Sequence, residues 1–183
     1  MSKRGFTLVE VVIVIFLFTL VMLAVVDLFI SFNTSYSKQV ANIGTAQSAA
    51  AFMNEVQRDV LQANSVAASH LYSGTTYTSD ASTLVLTLPS VDASGNVVAT
   101  MYDYAIFYLT GSTTYRIMDV DASSARAPGS KKLSDVMSYL TFTYNNVTPS
   151  SATNVTVDAT TSATVKTQTF QTHLTQQIYL RNL

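Results

Sequence analysis

A carboxylate, Glu10, lies within the most apolar stretch of the chain, residues 6–30, where the other polar residues are Thr7, Thr19 and Asp27. A charged side chain in a membrane helix costs several kcal/mol unless it is paired, so such a residue marks a functional site by default. Two kinds of chemistry fit this carboxylate. It can form an ion pair with a buried cation, or it can reach the membrane interface, where the positive end of the helix dipole favours it.

The apolar stretch itself predicts a membrane-spanning helix. At about 1.5 Å per residue, residues 6–30 would extend roughly 37 Å, enough to cross a bilayer. Lys3 and Arg4 precede it, which predicts a cytoplasmic N-terminus and a single pass. A secretory signal peptide fits less well, because the run is long and no A-x-A cleavage site follows. A plain anchor explains the run and its basic flank, but it explains neither Glu10 nor Gly5.

The segment KRGFTLVE, followed by the apolar run, resembles the cleavage signal of type IV pilins and pseudopilins: a short basic leader ending in Gly, an aromatic residue, then Thr-Leu-Val-Glu. The resemblance implies that a prepilin peptidase cuts between Gly5 and Phe6 and N-methylates Phe6. It also implies that Thr7 and Glu10 serve filament assembly. The new amine of Phe6 would meet Glu10 of a neighbouring subunit, so that two groups costly to bury alone form a charge-assisted pair.

The same resemblance implies the organisation and partners of the chain. Residues 1–5 would be a leader, residues 6–30 a transmembrane and filament-core helix, and residues 31–183 a pilin-like ectodomain. The expected partners are the prepilin peptidase, other pilin or pseudopilin subunits, an inner-membrane assembly platform and membrane lipid. The protein would lie in the cytoplasmic membrane with its ectodomain outside the cytoplasm, and then in a cell-surface or periplasmic filament.

Helical spacing continues beyond the membrane segment, to about Gln62. The predicted apolar stripe consists of Tyr36, Val40, Ile43, Ala46, Ala50, Met53, Val56 and Val60. The alternative is two helices broken near residues 33–35. Major pilins often carry a proline partway along this helix, whereas this helix has none and Asp27 falls near that place, which favours a minor subunit.

After His70 the sequence alternates in the manner of antiparallel strands. The predicted strands cover residues 83–88, 97–109, 115–120 and 139–144, with two more at the C-terminus, and Pro89 is expected to end the first. Residues 123–132 are predicted to form a loop. The fold class is therefore α+β, with a long helix laid across an antiparallel sheet. This layout resembles the minor pseudopilins of type II secretion, especially the J-type subunit.

Other candidate sites have ordinary explanations. Residues 92–96 and 119–121 place oxygens close together as calcium loops do, but neither completes such a motif. The predicted loop contains a basic cluster, Arg126, Lys131 and Lys132. A solvated surface is a simpler interpretation of this cluster than a phosphate-binding site. His70 and His173 have no partners at metal-ligand spacing.

The composition excludes several function classes. The chain has 183 residues, a formal net charge of −1 and no cysteine, which disfavours a nucleic-acid binder and excludes disulfides and thiol chemistry. No catalytic set is visible, so neither an enzyme nor a cofactor or metal is expected. The sequence predicts a structural subunit, a minor pilin or pseudopilin of a type IV pilus-like filament. The alternative is a single-pass, membrane-anchored binding or adhesin ectodomain.

Overall fold

The structure, a computed structural model, describes residues 7–181 and contains one long helix, α1, spanning Leu8–Gln62. The alternative of a break near residues 33–35 is wrong. The side chains of Asn33 and Thr34 donate hydrogen bonds of 3.0 and 2.9 Å to main-chain carbonyls four residues earlier, so these polar residues remain within the helix. The expected first residue of the helix, Phe6, lies outside the described residues.

Ten strands follow in the described part: Ser65–Val66 (β1), Ser69–Tyr72 (β2), Thr75–Thr78 (β3), Thr83–Val91 (β4), Val97–Thr110 (β5), Thr113–Asp119 (β6), Gly129–Ser134 (β7), Met137–Tyr144 (β8), Asn154–Val165 (β9) and Gln168–Tyr179 (β10). All the pairings are antiparallel. One sheet has the order β1-β4-β5-β6-β7, a second has the order β10-β9-β8, and β2 and β3 form a separate hairpin. A short 3-10 turn, Pro149–Ser151, precedes β9.

The α+β prediction is confirmed, with differences in the strands. The strand that Pro89 was expected to end continues to Val91, with a register shift between the two residues. Residues 129–132, which were predicted to belong to the loop at residues 123–132, form the first part of β7. Both differences occur at the margins of strands, where proline and charged residues are tolerated because fewer main-chain groups need partners.

The predicted stripe is buried at its last three positions and exposed at the earlier ones. Met53, Val56 and Val60 are buried as expected, but Ala46 and Ala50 are exposed. The buried face of α1 comprises Thr45, Ala49, Phe52, Met53, Val56, Asp59 and Val60. Two of these are polar, and their burial depends on partners distant in sequence, which a search for apolar spacing cannot detect.

The helix and both larger sheets share one hydrophobic core. Phe52 and Val56 of α1 pack in a cluster with Leu86 of β4, Phe142 of β8 and Val157 of β9. Burying each large aliphatic or aromatic side chain contributes about 1.5–3 kcal/mol. The chain divides into two compact units between Val40 and Ala41, and all residues of this core belong to the second.

Candidate functional site

The first turn of α1 is closed by three hydrogen bonds between Thr7 and Glu10, which run in both directions. The main-chain N–H and the hydroxyl of Thr7 donate to Oε2 of Glu10 at 2.8 and 2.9 Å, and the N–H of Glu10 donates to the Thr7 hydroxyl at 3.3 Å. This arrangement is a capping box, which satisfies amide groups that a helix N-terminus otherwise leaves unpaired. The spacing T-x-x-E is a sequence signature of this cap, although it was not among the predictions for Thr7 and Glu10.

The capping box lies at the start of an apolar helical segment whose side chains are not covered by other parts of the described chain. Every described residue up to Asn33 is exposed, and Val11, Val14 and Ile15 form a shallow apolar groove beside Glu10. By length and composition α1 is able to cross a membrane. The predicted cleavage and methylation residues, Gly5 and Phe6, lie outside the described residues, so their roles remain predictions.

In the two candidate calcium loops, acidic side chains interact with nitrogen groups of the protein itself. Asp92 accepts hydrogen bonds from the N–H groups of Asn96 and Ser94 at 2.9 and 2.8 Å, and these bonds, that of Asn96 above all, lower its pKa. Asp119 lies 2.7 Å from Nε2 of His70. Between Thr7 and Arg181 there is no group of three or more His, Asp or Glu side chains that could hold a metal ion.

The predicted basic cluster separates into three different environments. Arg126 is 17% exposed and its guanidinium lies 2.7 Å from the carboxylate of Asp103. Lys131 pairs with Glu55 of α1 at 2.8 Å, and Lys132 pairs with a nearby exposed carboxylate. The interpretation as a wholly solvated surface is therefore wrong for Arg126, which belongs to a buried network.

That network centres on Asp103, a fully buried carboxylate that the sequence analysis did not identify. It accepts hydrogen bonds from the hydroxyls of Ser90 and Ser124 at 2.8 and 2.7 Å and from the N–H of Asp121 at 3.0 Å, in addition to Arg126. Burial favours the neutral acid, but these hydrogen bonds outweigh it and hold the pKa of Asp103 below its usual range. The arrangement is fully satisfied, which is typical of a structural network.

A second buried ion pair joins the helix to the larger sheet. Asp59 of α1 accepts a hydrogen bond from Nε of Arg116, on β6, at 2.6 Å, and Nε of Arg58 lies 3.2 Å from its other oxygen. Both histidines also have a carboxylate partner. Nε2 of His70 lies 2.7 Å from Asp119, and Nε2 of His173 lies 2.5 Å from Asp158. The His70 ring also stacks on Tyr104, with ring centroids 3.7 Å apart. These contacts hold elements of the fold together.

Comparison with known proteins identifies the N-terminal segment. Residues 1–26 match the family model described as the prokaryotic N-terminal methylation motif. The match supports processing by a prepilin peptidase and a place among type IV pilin-like and pseudopilin subunits, and with the apolar part of α1 it supports membrane anchoring. Comparisons of the chain with curated proteins and with solved structures gave no match.

Proposed function

We propose that this protein is a minor pilin or pseudopilin, a structural subunit of a type IV pilus-like filament. The observation that carries the proposal is the methylation motif at residues 1–26, continuous with a helix whose apolar half is uncovered. In this proposal, a prepilin peptidase removes MSKRG and methylates Phe6, and the apolar half of α1 moves from the membrane into the filament. The absence of proline from α1 supports a minor rather than a major subunit.

Assembly in this proposal uses the two oxygens of Glu10 differently. Oε2 is engaged by Thr7, whereas Oε1 makes no hydrogen bond with any residue between Thr7 and Arg181. Oε1 is therefore available to accept a hydrogen bond from the methylated amine of Phe6 of a neighbouring subunit, while the helix keeps its cap. A buried pair of this kind is demanding in its geometry, so it favours one axial register between adjacent helices.

The mass of the mature protein tests the proposal. The chain would be expressed with a prepilin peptidase, extracted from membranes and weighed intact by mass spectrometry. We expect the loss of MSKRG and the gain of one methyl group. Gly5→Val should retain the leader, since a larger residue does not fit at the cleavage junction, while Ser2→Ala should mature normally. Retention of the leader in the wild-type protein would instead support the membrane-anchored binding ectodomain.

A further inference from the structure

Three arginines line a cavity beside the last turns of α1. The cavity has a volume of about 260 Å³ and lies between α1, β6 and the segment that precedes β7. Its lining residues all belong to the second compact unit: Arg58, Asp59, Gln62, Arg116, Met118, Arg126 and Ala127. A concave site in which several arginines converge is suited to an anionic ligand, because guanidinium groups form charge-assisted hydrogen bonds with anions.

Arg116 brings unused hydrogen-bond donors to this cavity. Its side chain is 15% exposed, and its Nε donates a hydrogen bond of 2.6 Å to Asp59. In the part of the chain that the structure describes, Nη1 and Nη2 of Arg116 donate to no acceptor. A guanidinium has five N–H donors, so those of the two terminal nitrogens remain for a ligand or solvent. The edge that Nη1 and Nη2 form has the geometry to hold both oxygens of one carboxylate.

The ion pairs around the cavity leave a surplus of positive charge. They join four cations to three carboxylates, namely Arg58, Arg116, Arg126 and Lys131 to Glu55, Asp59 and Asp103. Burial alone would raise the pKa of Glu55, but the hydrogen bond from Lys131 and the charges of the nearby arginines outweigh burial and hold the pKa below its usual range. The surroundings of the cavity therefore favour negative charge.

The pairing of β6 with β7 places two of these cations side by side. Arg116 lies opposite Lys131 in the register of the two strands. Like charges directly opposite each other destabilise an antiparallel pair. The arrangement costs stability in the free protein, and a bound anion would offset that cost.

A second cavity adjoins the first and adds apolar surface. Its volume is about 370 Å³, and Gln62 and Arg126 line both cavities. The other residues that line the second cavity are Pro89, Val91, Val97 and Arg181. Three of these four are apolar, so an anion held in the first cavity can place a hydrocarbon group in the second.

We propose that the two cavities bind a carboxylate that carries an apolar group. The carboxylate accepts hydrogen bonds from Nη1 and Nη2 of Arg116, and its charge balances the surplus cation of the ion pairs. The apolar group lies against Val91 and Val97. A phosphate dianion fits less well, because it brings more charge than the surplus and has no apolar part. A free organic acid and the C-terminal residue of another polypeptide both present the proposed chemistry.

The site does not depend on the proposed filament function. It uses residues from Arg58 onwards, and neither the methylation motif nor the apolar half of α1 contributes to it. A filament subunit and a membrane-anchored binding ectodomain would both carry it.

Isothermal titration calorimetry of the full chain in detergent tests the site. Pentanoate represents a free acid, N-acetyl-Gly-Val represents a C-terminal residue, and inorganic phosphate is the competing anion. The amides of the first two probes are the matched neutral controls, and they also correct for partition into micelles. Because a ligand of this size has few atoms, we expect a Kd of about 1 mM for pentanoate. Pentanamide should bind at least tenfold more weakly.

The titrations separate the proposal from its alternatives. Failure of both carboxylates to bind overturns it. Equal affinity for pentanoate and pentanamide also overturns it, since the arginines would then contribute nothing, and so does tighter binding of phosphate than of pentanoate. If the carboxylates bind as expected, the tighter of the two identifies the source of the ligand, and tighter binding of the peptide indicates a protein partner.

The substitution Arg116→Lys tests the guanidinium edge. Lysine retains a charge that can pair with Asp59, but it has no planar pair of nitrogens for a carboxylate. We expect pentanoate to bind at least tenfold more weakly and the thermal melt to remain cooperative. Unchanged affinity for pentanoate would overturn the placement of the carboxylate at Arg116.

The substitution Gln62→Glu tests the site without breaking an ion pair. Gln62 is exposed, and its Oε1 accepts a hydrogen bond of 3.3 Å from Nη2 of Arg126. A carboxylate at this position neutralises the surplus charge from within the protein, so pentanoate should bind at least tenfold more weakly. The control Gln47→Glu adds the same charge at an exposed position roughly 22 Å away along α1 and should bind pentanoate as the wild type does. Equal affinities of these two variants would overturn the proposal.

Discussion

At the scale of single residues, Glu10 has a local role in the structure and a proposed intermolecular role. Its hydrogen bonds to Thr7 organise the first turn of α1, and this role needs only one carboxylate oxygen. The proposed assembly role needs negative charge as well, because the neighbouring amine would be buried in an apolar helix core. Substitutions that separate capping from charge therefore separate the two roles.

The substitution Glu10→Gln keeps the size of the side chain and removes its charge. We expect normal leader removal and a strongly reduced ratio of mature protein in sheared filaments to mature protein in the membrane. The reason is that breaking a buried ion pair costs about 3–5 kcal/mol. Quantitative immunoblots measure the ratio.

The matched control for this prediction is Thr7→Val, which removes the hydroxyl cap but leaves the carboxylate. Losing a cap costs about 1 kcal/mol, so incorporation should fall only slightly. Entry of the Glu10→Gln subunit into filaments at the wild-type ratio would refute the pairing with Phe6. An equal defect in both variants would contradict the expectation that loss of the charge matters more than loss of the cap.

Asp103 provides a second prediction at this scale. Asp103→Asn leaves Arg126, which is 17% exposed, without its carboxylate partner, and we expect a loss of about 3–5 kcal/mol of unfolding free energy. The control is Asp135→Asn, which disrupts the exposed pair with Lys132 and should cost at most about 1 kcal/mol. Urea unfolding measures both. Equal stabilities of the two variants would show that the Asp103 network contributes nothing beyond an exposed ion pair.

The pH dependence of the same pair follows from the direction of the pKa shift. The pKa of Asp103 is lower in the folded protein than in the unfolded chain, so its ionisation stabilises the fold above about pH 4, the ordinary value. This contribution is lost as the pH falls through the lowered pKa of the folded state. The difference in unfolding free energy between wild type and Asp103→Asn should therefore shrink on acidification from pH 7 to pH 2. A difference that stays constant over this range would contradict the assignment.

At the scale of elements, the sequence predicted what depends on local spacing and missed what depends on distant partners. The extent of α1 and the strands near residues 83–88 and 139–144 follow from helical and alternating patterns. The position of Asp59 on the buried face of α1 does not, because its partner Arg116 lies 57 residues away. For the same reason, the division of the strands into two larger sheets and a hairpin could not be predicted from alternation alone.

The corrected face of α1 yields a test with an internal control. Val56→Asp places an unpaired carboxylate in the core and should unfold the second compact unit or lower its melting temperature sharply. Ala50→Asp, also on the originally predicted stripe, lies on an exposed face and should change stability by no more than about 0.5 kcal/mol. Thermal melts followed by circular dichroism distinguish them. The reverse order of stability would contradict the buried face assigned to α1.

At the scale of the whole molecule, folding of the second compact unit is expected not to require the membrane segment. The buried residues of the described chain begin at Thr45 and end at Leu180, and the apolar residues before Asn33 contribute none of them. We therefore predict that a fragment beginning at Ser31 is soluble and unfolds cooperatively. Its circular dichroism melt should match that of the full chain in detergent within a few degrees. A fragment without a cooperative transition would show that the apolar segment is needed for folding.

The span of the core in sequence also governs when the newly made chain can fold. The hydroxyl of Thr161 donates to the main-chain carbonyl of Thr45, 116 residues earlier, and the core that covers Phe52 is completed by Ile178 and Leu180. At about 5–20 residues per second, these late residues follow the helix by roughly 6–23 s of synthesis. During that interval the core around Phe52 and Val56 is incomplete, because the three-stranded sheet lacks its last strand. Synthesis of this protein therefore includes a period in which the apolar face of α1 is not yet covered by the last strands. A chaperone or the membrane surface could protect this face during that period.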